Sequence, residues 1–279
     1  MKLKANAKIN LTLDVIGKRD DGYHLIDSVF QSVSLCDEIS VEKCDNITVR
    51  CSDNTICDNS NIAYKAAQKF FEYANISGGA QIVIKKHIPL ASGMGGGSAD
   101  AAAVIVALDK LYKTNLSKDT LCKIGLSVGA DVPFCIMGGT ARVGGIGEQM
   151  SKLPDMPDCA ILLVKHGTKL STADMYKKID SCPQTKFYTQ AVSDGIKNGD
   201  LNVVCKNVYN AFSAVCYNND LINDIKQTKP LAVSLSGSGP TVFAIYSDML
   251  LAADAKSELE KVGYTPIIAT ASKSGIIIE

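Results

Sequence analysis

The stretch that most constrains this chain runs from Pro89 to Ala103, PLASGMGGGSADAAA. Four glycines, Gly93, Gly95, Gly96 and Gly97, separate an alternating, strand-like apolar run from an alanine-rich run with the character of a helix. Glycine tolerates positive φ and has no side chain to hold a ligand off the backbone. A glycine loop feeding a helix therefore presents several backbone N–H groups at the positive end of that helix, where an anion such as phosphate binds. Ser98 falls at the expected helix start, where a hydroxyl caps the helix or reaches a phosphate or its metal. An ordinary turn before a helix needs only one or two glycines, so four imply more than a turn.

The loop is not a Walker A motif, because no Lys follows the glycines in GxxxxGK[ST] register. It is not a dinucleotide fingerprint either. The run reads G-M-G-G-G-S, and Asp109 and Asp119 lie in helical pattern, away from the end of a second parallel strand.

With 279 residues, 46% of them hydrophobic, the chain can bury the core of one large domain or two ordinary ones. Its 29 basic and 29 acidic residues balance. That argues against a general nucleic-acid or membrane-surface binder, both of which want a basic excess. The ten cysteines are scattered without a CxxC, and the three histidines are not spaced with them as zinc ligands. The opening MKLKANAKINL lacks the apolar core of a secretion signal, and no apolar run is long enough to span a membrane. The expectation is a cytoplasmic protein with reduced, mostly buried cysteines.

Along the chain, Leu3 to Ile16 alternates as a strand, and Lys8 and Asn10 share a parity and hence a face. GKRDDGYHL, residues 17–25, reads as a loop closed by Tyr23 and His24, a pair able to stack on and hydrogen-bond a planar ligand or to cap a core edge. Strands are expected over Phe30–Leu35, Glu38–Arg50 and Ala80–Ile88. Helices are expected over Asn61–Tyr73, from the glycine loop to Tyr112, and over Lys118–Val128. GADVPFC, residues 129–135, fixes Asp131 in a tight turn. In the second half, Cys159–Val164 reads as a strand, Ser171 or Thr172 caps a helix carrying Tyr176, and residues 181–230 read as largely helical, including Asn202–Val215. A second glycine turn, SGSGPT at 236–241, lies between strands Leu231–Leu235 and Val242–Tyr246. A helix from Met249 to Val262 and a strand at Thr265–Thr270 close the chain.

Phosphoryl transfer needs a cradle for the donor phosphates, charge neutralisation and an oriented nucleophile. The loop supplies the cradle, and Lys8 is a candidate source of positive charge. Asp131 is a candidate to accept a hydroxyl proton or to hold that hydroxyl in line. An adjacent Lys would keep such an Asp ionised, and a weak base of that kind contributes chiefly through positioning and electrostatics.

KINLTL, PLASGMGGGSADAA and LSGSGPTVFA, in that order, resemble the three motifs of the GHMP kinase superfamily. AKINLTLDVIGKRDDGYHLI and LSVGADVPFC are similar to the branch that phosphorylates a cytidine-diphosphate-linked methylerythritol in non-mevalonate isoprenoid precursor biosynthesis. The resemblance implies an α+β, two-domain GHMP kinase fold. Residues 1–155 would form a domain like ribosomal protein S5 domain 2, and residues 156–279 a ferredoxin-like C-terminal domain. It implies ATP phosphates on Pro89, Leu90, Ala91, Ser92, Gly93, Met94, Gly95, Gly96, Gly97, Ser98 and Ala99, with the adenine near Asn61. Asp131 and Lys8 would be the catalytic pair, acting on the 2-hydroxyl of the substrate, and Asn10 would contact that substrate. Tyr23 would stack on the cytosine, His24 would hydrogen-bond it, and Tyr176 is the candidate for its other face. Gly237 and Gly239 would shape the cleft floor. Some superfamily members hold magnesium with a glutamate. No matching acid follows the glycine loop here, and Asp100 is read as favouring the helix dipole. Magnesium is expected with ATP, with Ser98 as a candidate protein contact.

Two other classes of reading stand beside this one. A sibling kinase for homoserine or a sugar would have no base for Tyr23 and His24 to hold. A nucleotide-binding regulator without turnover, or an RNA-binding module, would need neither Lys8 nor Asp131, and the balanced charge speaks against RNA.

Overall fold

β1 (Lys2–Lys18) and β2 (His24–Cys44) form a long antiparallel pair joined by the 19–23 turn. The computed structural model describes residues 1–57, 59–168, 171–182, 184–216 and 219–279. β1 is buried along most of its length because both of its faces are covered. Register shifts between Asn6 and Lys8 and between Asn10 and Thr12 bracket Lys8 and Asn10. Such irregularities re-aim side chains and recur next to active sites.

β3 (Thr48–Cys51) is short, and α1 (Ile62–Ala74) starts at Asn61, whose side chain accepts the Ala63 N–H. β4 (Gly79–Lys85) leads through the glycine loop into α2 (Gly96–Tyr112), followed by α3 (Lys118–Val128), capped by Ser117. α4 (Val132–Met137) is a single short turn of helix. Pro133 opens it, since a Pro in the first turn removes only an N–H that would have had no partner. β5 (Thr140–Gly145) and β6 (Gln149–Lys152) complete the first half.

β7 (Ala160–Lys165), α5 (Thr172–Ile179), α6 (Thr189–Lys197) and α7 (Leu201–Asn207) follow. After β8 (Tyr209–Asn210) come α8 (Asn219–Gln227), β9 (Ala232–Leu235), β10 (Thr241–Tyr246), α9 (Met249–Lys261), β11 (Ile267–Thr270) and β12 (Ile276–Ile278).

The first sheet runs β12-β1-β2-β4-β3, with β5 also on β2, β6 on β5 and β8 parallel to β1. The second runs β11-β7-β10-β9 and is antiparallel throughout. One core lies between the first sheet and α1 to α4. Another joins Ala7, Ile9 and Leu11 of β1 to Ile161 and Leu163 of β7 and Phe243 and Ile245 of β10, so the two sheets share apolar packing. A third holds α5, α8 and α9 on the second sheet.

Several expectations are corrected. Phe30–Leu35 belongs to the single strand β2, and the run expected over Glu38–Arg50 breaks after Cys44. The helix expected over Asn202–Val215 ends at Asn207. Asn210 donates instead to the carbonyls of Leu235 (2.8 Å) and Gly237 (2.9 Å), and a 3-10 turn covers Ala211–Ala214. Of the largely helical 181–230 stretch, residues 183, 217 and 218 lie outside the described residues. β12 was not expected. It pairs with Leu3–Ala5, so it and β8 carry the second half of the chain across the expected boundary at 155/156 into the first sheet.

All ten cysteines are free, but only Cys51, Cys135, Cys159 and Cys205 are buried, fewer than expected. Among the described residues no helix is long and apolar enough to cross a membrane.

Candidate active site

A cleft of about 900 Å³ is lined by residues from both halves. Its floor is the glycine loop. Gly93 (φ +79°) and Gly95 (φ +70°) hold backbone that L side chains rarely adopt, and a Cβ on Gly93 would lie 2.3 Å from the Ser236 carbonyl oxygen. The second glycine turn therefore packs directly on the first. The Thr241 N–H donates to the Ser92 carbonyl (3.2 Å) and the Ser236 hydroxyl to the Gly93 carbonyl (3.1 Å). Gly237 lines the cleft, while Gly239 sits behind it against Leu235.

Pro89 to Gly93 and Gly95 to Ser98 line the cleft. Met94 is buried, and its carbonyl accepts the Lys8 N–H (2.9 Å). Ala99 is buried in α2. Ser98 lies inside the first turn of α2, and the N-cap position is Gly95, so of its two expected roles the helix cap is ruled out. Asn61 lines no part of the cleft. Its amide group caps α1 and donates to the Ile56 carbonyl (2.7 Å), and Ile62 forms the wall there.

Lys8 is buried with its ammonium 2.8 Å from Asn10 Oδ1, 3.4 Å from Asp131 Oδ2 and 4.4 Å from the centroid of Phe30. Asp131 is partly open to the cleft and immediately precedes α4. Lys8, Asn10 and Asp131, 123 positions apart at their extremes by numbering, thus meet over the glycine loop, where a Cβ on Gly95 would be 3.1 Å from Lys8 Cγ.

The far end of the cleft carries Tyr23, His24 and Tyr176. Tyr23 is 61% exposed. His24 stacks on Tyr176, ring centroids 4.5 Å apart at 15°, and Tyr176 meets Phe212 edge-on. Burial pushes the Tyr176 phenol up to about 12, with the Asp131 charge adding to the effect, so it is neutral.

Three contributors were not anticipated from the sequence. Lys86 lies under the start of α2, held by Asp37 and by Asp100 (2.7 Å). Asp37 Oδ1 also accepts the N–H groups of His87 (2.6 Å) and Ile88 (2.8 Å), so the cluster ties the entry of the loop to its exit. Asp100 is therefore not a dipole-complementing surface acid. It is buried, and desolvation, helped by the Asp37 carboxylate, pushes it up to about 8 against the pull of Lys86. Lys165 donates to the Leu90 carbonyl (2.7 Å), fixing the loop from the second sheet. Asp180, just after α5, bonds His24. A lone charged residue in an alternating or helical run carries no mark of the distant partner that buries it, so local pattern could not single these out.

Residues 61–139 match the family model for the GHMP kinases N terminal domain and residues 206–265 that for the GHMP kinases C terminal domain. The chain is 41% identical over 280 residues to a 4-diphosphocytidyl-2-C-methyl-D-erythritol kinase of Clostridium perfringens (strain 13 / Type A), covering 97% of each. It is 42% identical over 266 residues to the protein of the same name from Caldicellulosiruptor saccharolyticus, covering 91% of this chain and 92% of that one. A crystal structure of 4-(cytidine 5'-diphospho)-2C-methyl-D-erythritol kinase superposes with a TM-score of 0.83 at 27% identity, covering 98% and 99% of the two chains. A homoserine kinase from Cytophaga hutchinsonii shares the fold at a TM-score of 0.76 and 19% identity, over 100% of this chain and 97% of that one.

Proposed function

The chain belongs to the 4-diphosphocytidyl-2-C-methyl-D-erythritol kinases within the GHMP kinase family, and we propose that it transfers the γ-phosphoryl group of ATP to the 2-hydroxyl of 4-diphosphocytidyl-2-C-methyl-D-erythritol. The observation that carries the reading is the convergence in one cleft of the glycine loop, the Lys8–Asp131 pair and the Tyr23–His24 pair. A binding module would need no buried ammonium beside a carboxylate, and a kinase for a simple alcohol would need no aromatic end to its cleft.

The glycine loop binds the ATP phosphates through its backbone N–H groups, with the purine beside Ile62, the wall residue next to the Asn61 cap. Lys165 and the Lys86 cluster keep that loop in shape. Asp131 accepts a hydrogen bond from the substrate hydroxyl and aims its oxygen at the phosphorus, while Lys8 neutralises charge that builds on the transferring group. Asn10, bonded to the Lys8 ammonium, fixes that ammonium and meets the substrate. Tyr23 stacks on the cytosine, His24 hydrogen-bonds it, and Tyr176 backs the site as the partner of the His24 ring. Gly237 and Gly239 form the turn that closes the cleft floor.

Magnesium fits this site as a companion of the nucleotide. Among the described residues no group of three or more His, Cys, Asp or Glu could hold a metal by itself. Magnesium commonly keeps its waters and takes substrate phosphates with few protein ligands. Ser98, in the cleft wall, would be its protein contact, since Asp100 is bound to Lys86. When bound, it supplies charge neutralisation at the phosphates.

The test is ADP release with ATP and magnesium, comparing 4-diphosphocytidyl-2-C-methyl-D-erythritol with homoserine, galactose and mevalonate. The expected result is ADP with the cytidine compound alone. Turnover of another alcohol would discard the cytosine site, and turnover of none would favour a nucleotide-binding regulator.

A further inference from the structure

Asp180 occupies a position that helix chemistry alone disfavours. It is the C-terminal flanking residue of α5, where the negative end of the helix dipole repels a carboxylate. Its two oxygens have partners that explain it. Oδ1 lies 2.6 Å from His24 Nε2, and Oδ2 lies 2.6 Å from the Lys18 ammonium. His24 itself is only 8% exposed and stacked on Tyr176, so its ring plane is set by the tyrosine and its rotation by the carboxylate. Lys18 and His24 both line the cleft. The Lys18 and His24 hydrogen bonds hold the Asp180 carboxyl below the usual carboxylate range, so it is ionised and purely an acceptor.

An ionised carboxylate at Nε2 requires the proton to be on Nε2. In the neutral ring that leaves Nδ1 with a lone pair, an acceptor. Cytosine offers an exocyclic N–H donor where uracil offers a carbonyl oxygen. A fixed acceptor bonds the first and faces the second lone pair to lone pair. A site built around one hydrogen-bonding pattern rejects the analogue that leaves its polar group unpaired.

We propose that Asp180 is the positioning residue that sets the base selectivity of this cleft, by holding His24 in the Nε2–H tautomer so that Nδ1 selects an amino-bearing pyrimidine over uracil. The inference rests on the cytidine reading given above and adds the residue that enforces it. Lys18 is part of the device. It claims one Asp180 oxygen, so an amide at this position has its single oxygen drawn to Lys18 and its NH2 turned to His24. Asp180→Asn thus reverses the tautomer and makes Nδ1 a donor.

The experiment compares the intact wild-type protein with Asp180→Asn and Asp180→Glu at pH 8, where an ordinary imidazole is neutral. Steady-state rates are measured with 4-diphosphocytidyl-2-C-methyl-D-erythritol and with its uridine-diphosphate counterpart. The 15N shifts of the His24 ring are read from the same samples. The expected result is that Asp180→Asn lowers the cytidine-to-uridine ratio of kcat/KM at least tenfold, mostly through KM, and moves the ring proton to Nδ1. Asp180→Glu retains a carboxylate and should keep the wild-type tautomer and preference. A wild-type ring protonated on Nδ1 would overturn the proposal without any variant. So would Asp180→Asn with turnover and unchanged preference, which would leave the cytidine reading standing. Wild-type protein that turns over neither compound would overturn the substrate reading, and this proposal with it.

Discussion

Asp100→Asn should change how stability depends on pH, in one window and in one direction. Asp100 is 2% exposed beneath the glycine loop, and burial together with Asp37 raises its pKa from the model-compound value of 3.8 to about 8. Between those values the unfolded chain has released the proton and the folded chain holds it. Stability from this group is therefore greatest at low pH and falls as pH rises, levelling once pH passes the folded-state value. One proton corresponds to about 1.4 kcal/mol per pH unit, so going from pH 5 to pH 7 removes at most about 3 kcal/mol from the wild type. Asparagine is neutral at every pH and offers Lys86 the same carbonyl acceptor. Urea unfolding of both proteins at pH 5, 6, 7, 8 and 9 gives the difference in stability, from which every shared titration cancels. That difference should move in favour of Asp100→Asn by about 1 kcal/mol or somewhat more per unit up to pH 7 and flatten above pH 8. A difference that stays constant from pH 5 to pH 8 would mean that Asp100 is ionised in the folded protein, and the argument would fail.

Three further outcomes follow from the site. Asp131→Asn should lower kcat by about 10²–10⁴ while leaving ATP affinity intact in a calorimetric titration; loss of ATP binding would point to a structural or metal role instead. Removing the stacking ring in Tyr23→Ala should weaken substrate binding by about 1–3 kcal/mol, read as a rise in KM for the cytidine compound, and an unchanged KM would end the cytosine assignment. Gly93→Ala places a methyl group 2.3 Å from the Ser236 carbonyl oxygen at φ +79°. It should cost about 2–5 kcal/mol of stability and raise the KM for ATP, and an unaltered melting temperature would show that the two glycine turns are not held together as described.

The site was legible where chemistry is written in contiguous residues. GMGGGS marked the loop that lines the cleft, because backbone held at positive φ and packed against a second turn needs glycine. Lys8 and Asn10 were placed on one face by strand parity, and β1 keeps them together at 2.8 Å. Ser60 or Asn61 and Asn115 or Ser117 read as caps because a side-chain oxygen at a helix start satisfies local N–H groups, and the structure puts the caps at Asn61 and Ser117. The Lys86 cluster was not legible. Asp37 and Asp100 are 63 positions apart by numbering, and Asp100 taken alone reads only as an acid favouring the helix dipole. The end of α7 was misplaced for a related reason. Asn202–Val215 has helical spacing, yet Tyr209 and Asn210 gain pairing with β1 and with the second glycine turn that the helix would forgo. β12 had only three isoleucines to announce it, and its partner lies at the other end of the chain.

By itself the sequence determined the elements whose signals are local: the glycine loop, the helix caps, the strand parity of Lys8 and Asn10, and the aromatic pair at the 19–23 turn. Those signals persist in any folded state because they depend on neighbouring residues and backbone geometry. Only the tertiary structure decided which distant groups share a dielectric and a hydrogen bond. It set Asp131 against Lys8, Asp100 against Lys86 and Asp37, and Asp180 against His24. The protonation of Asp100 in particular is a property of the packed interior, where water no longer screens one charge from the next.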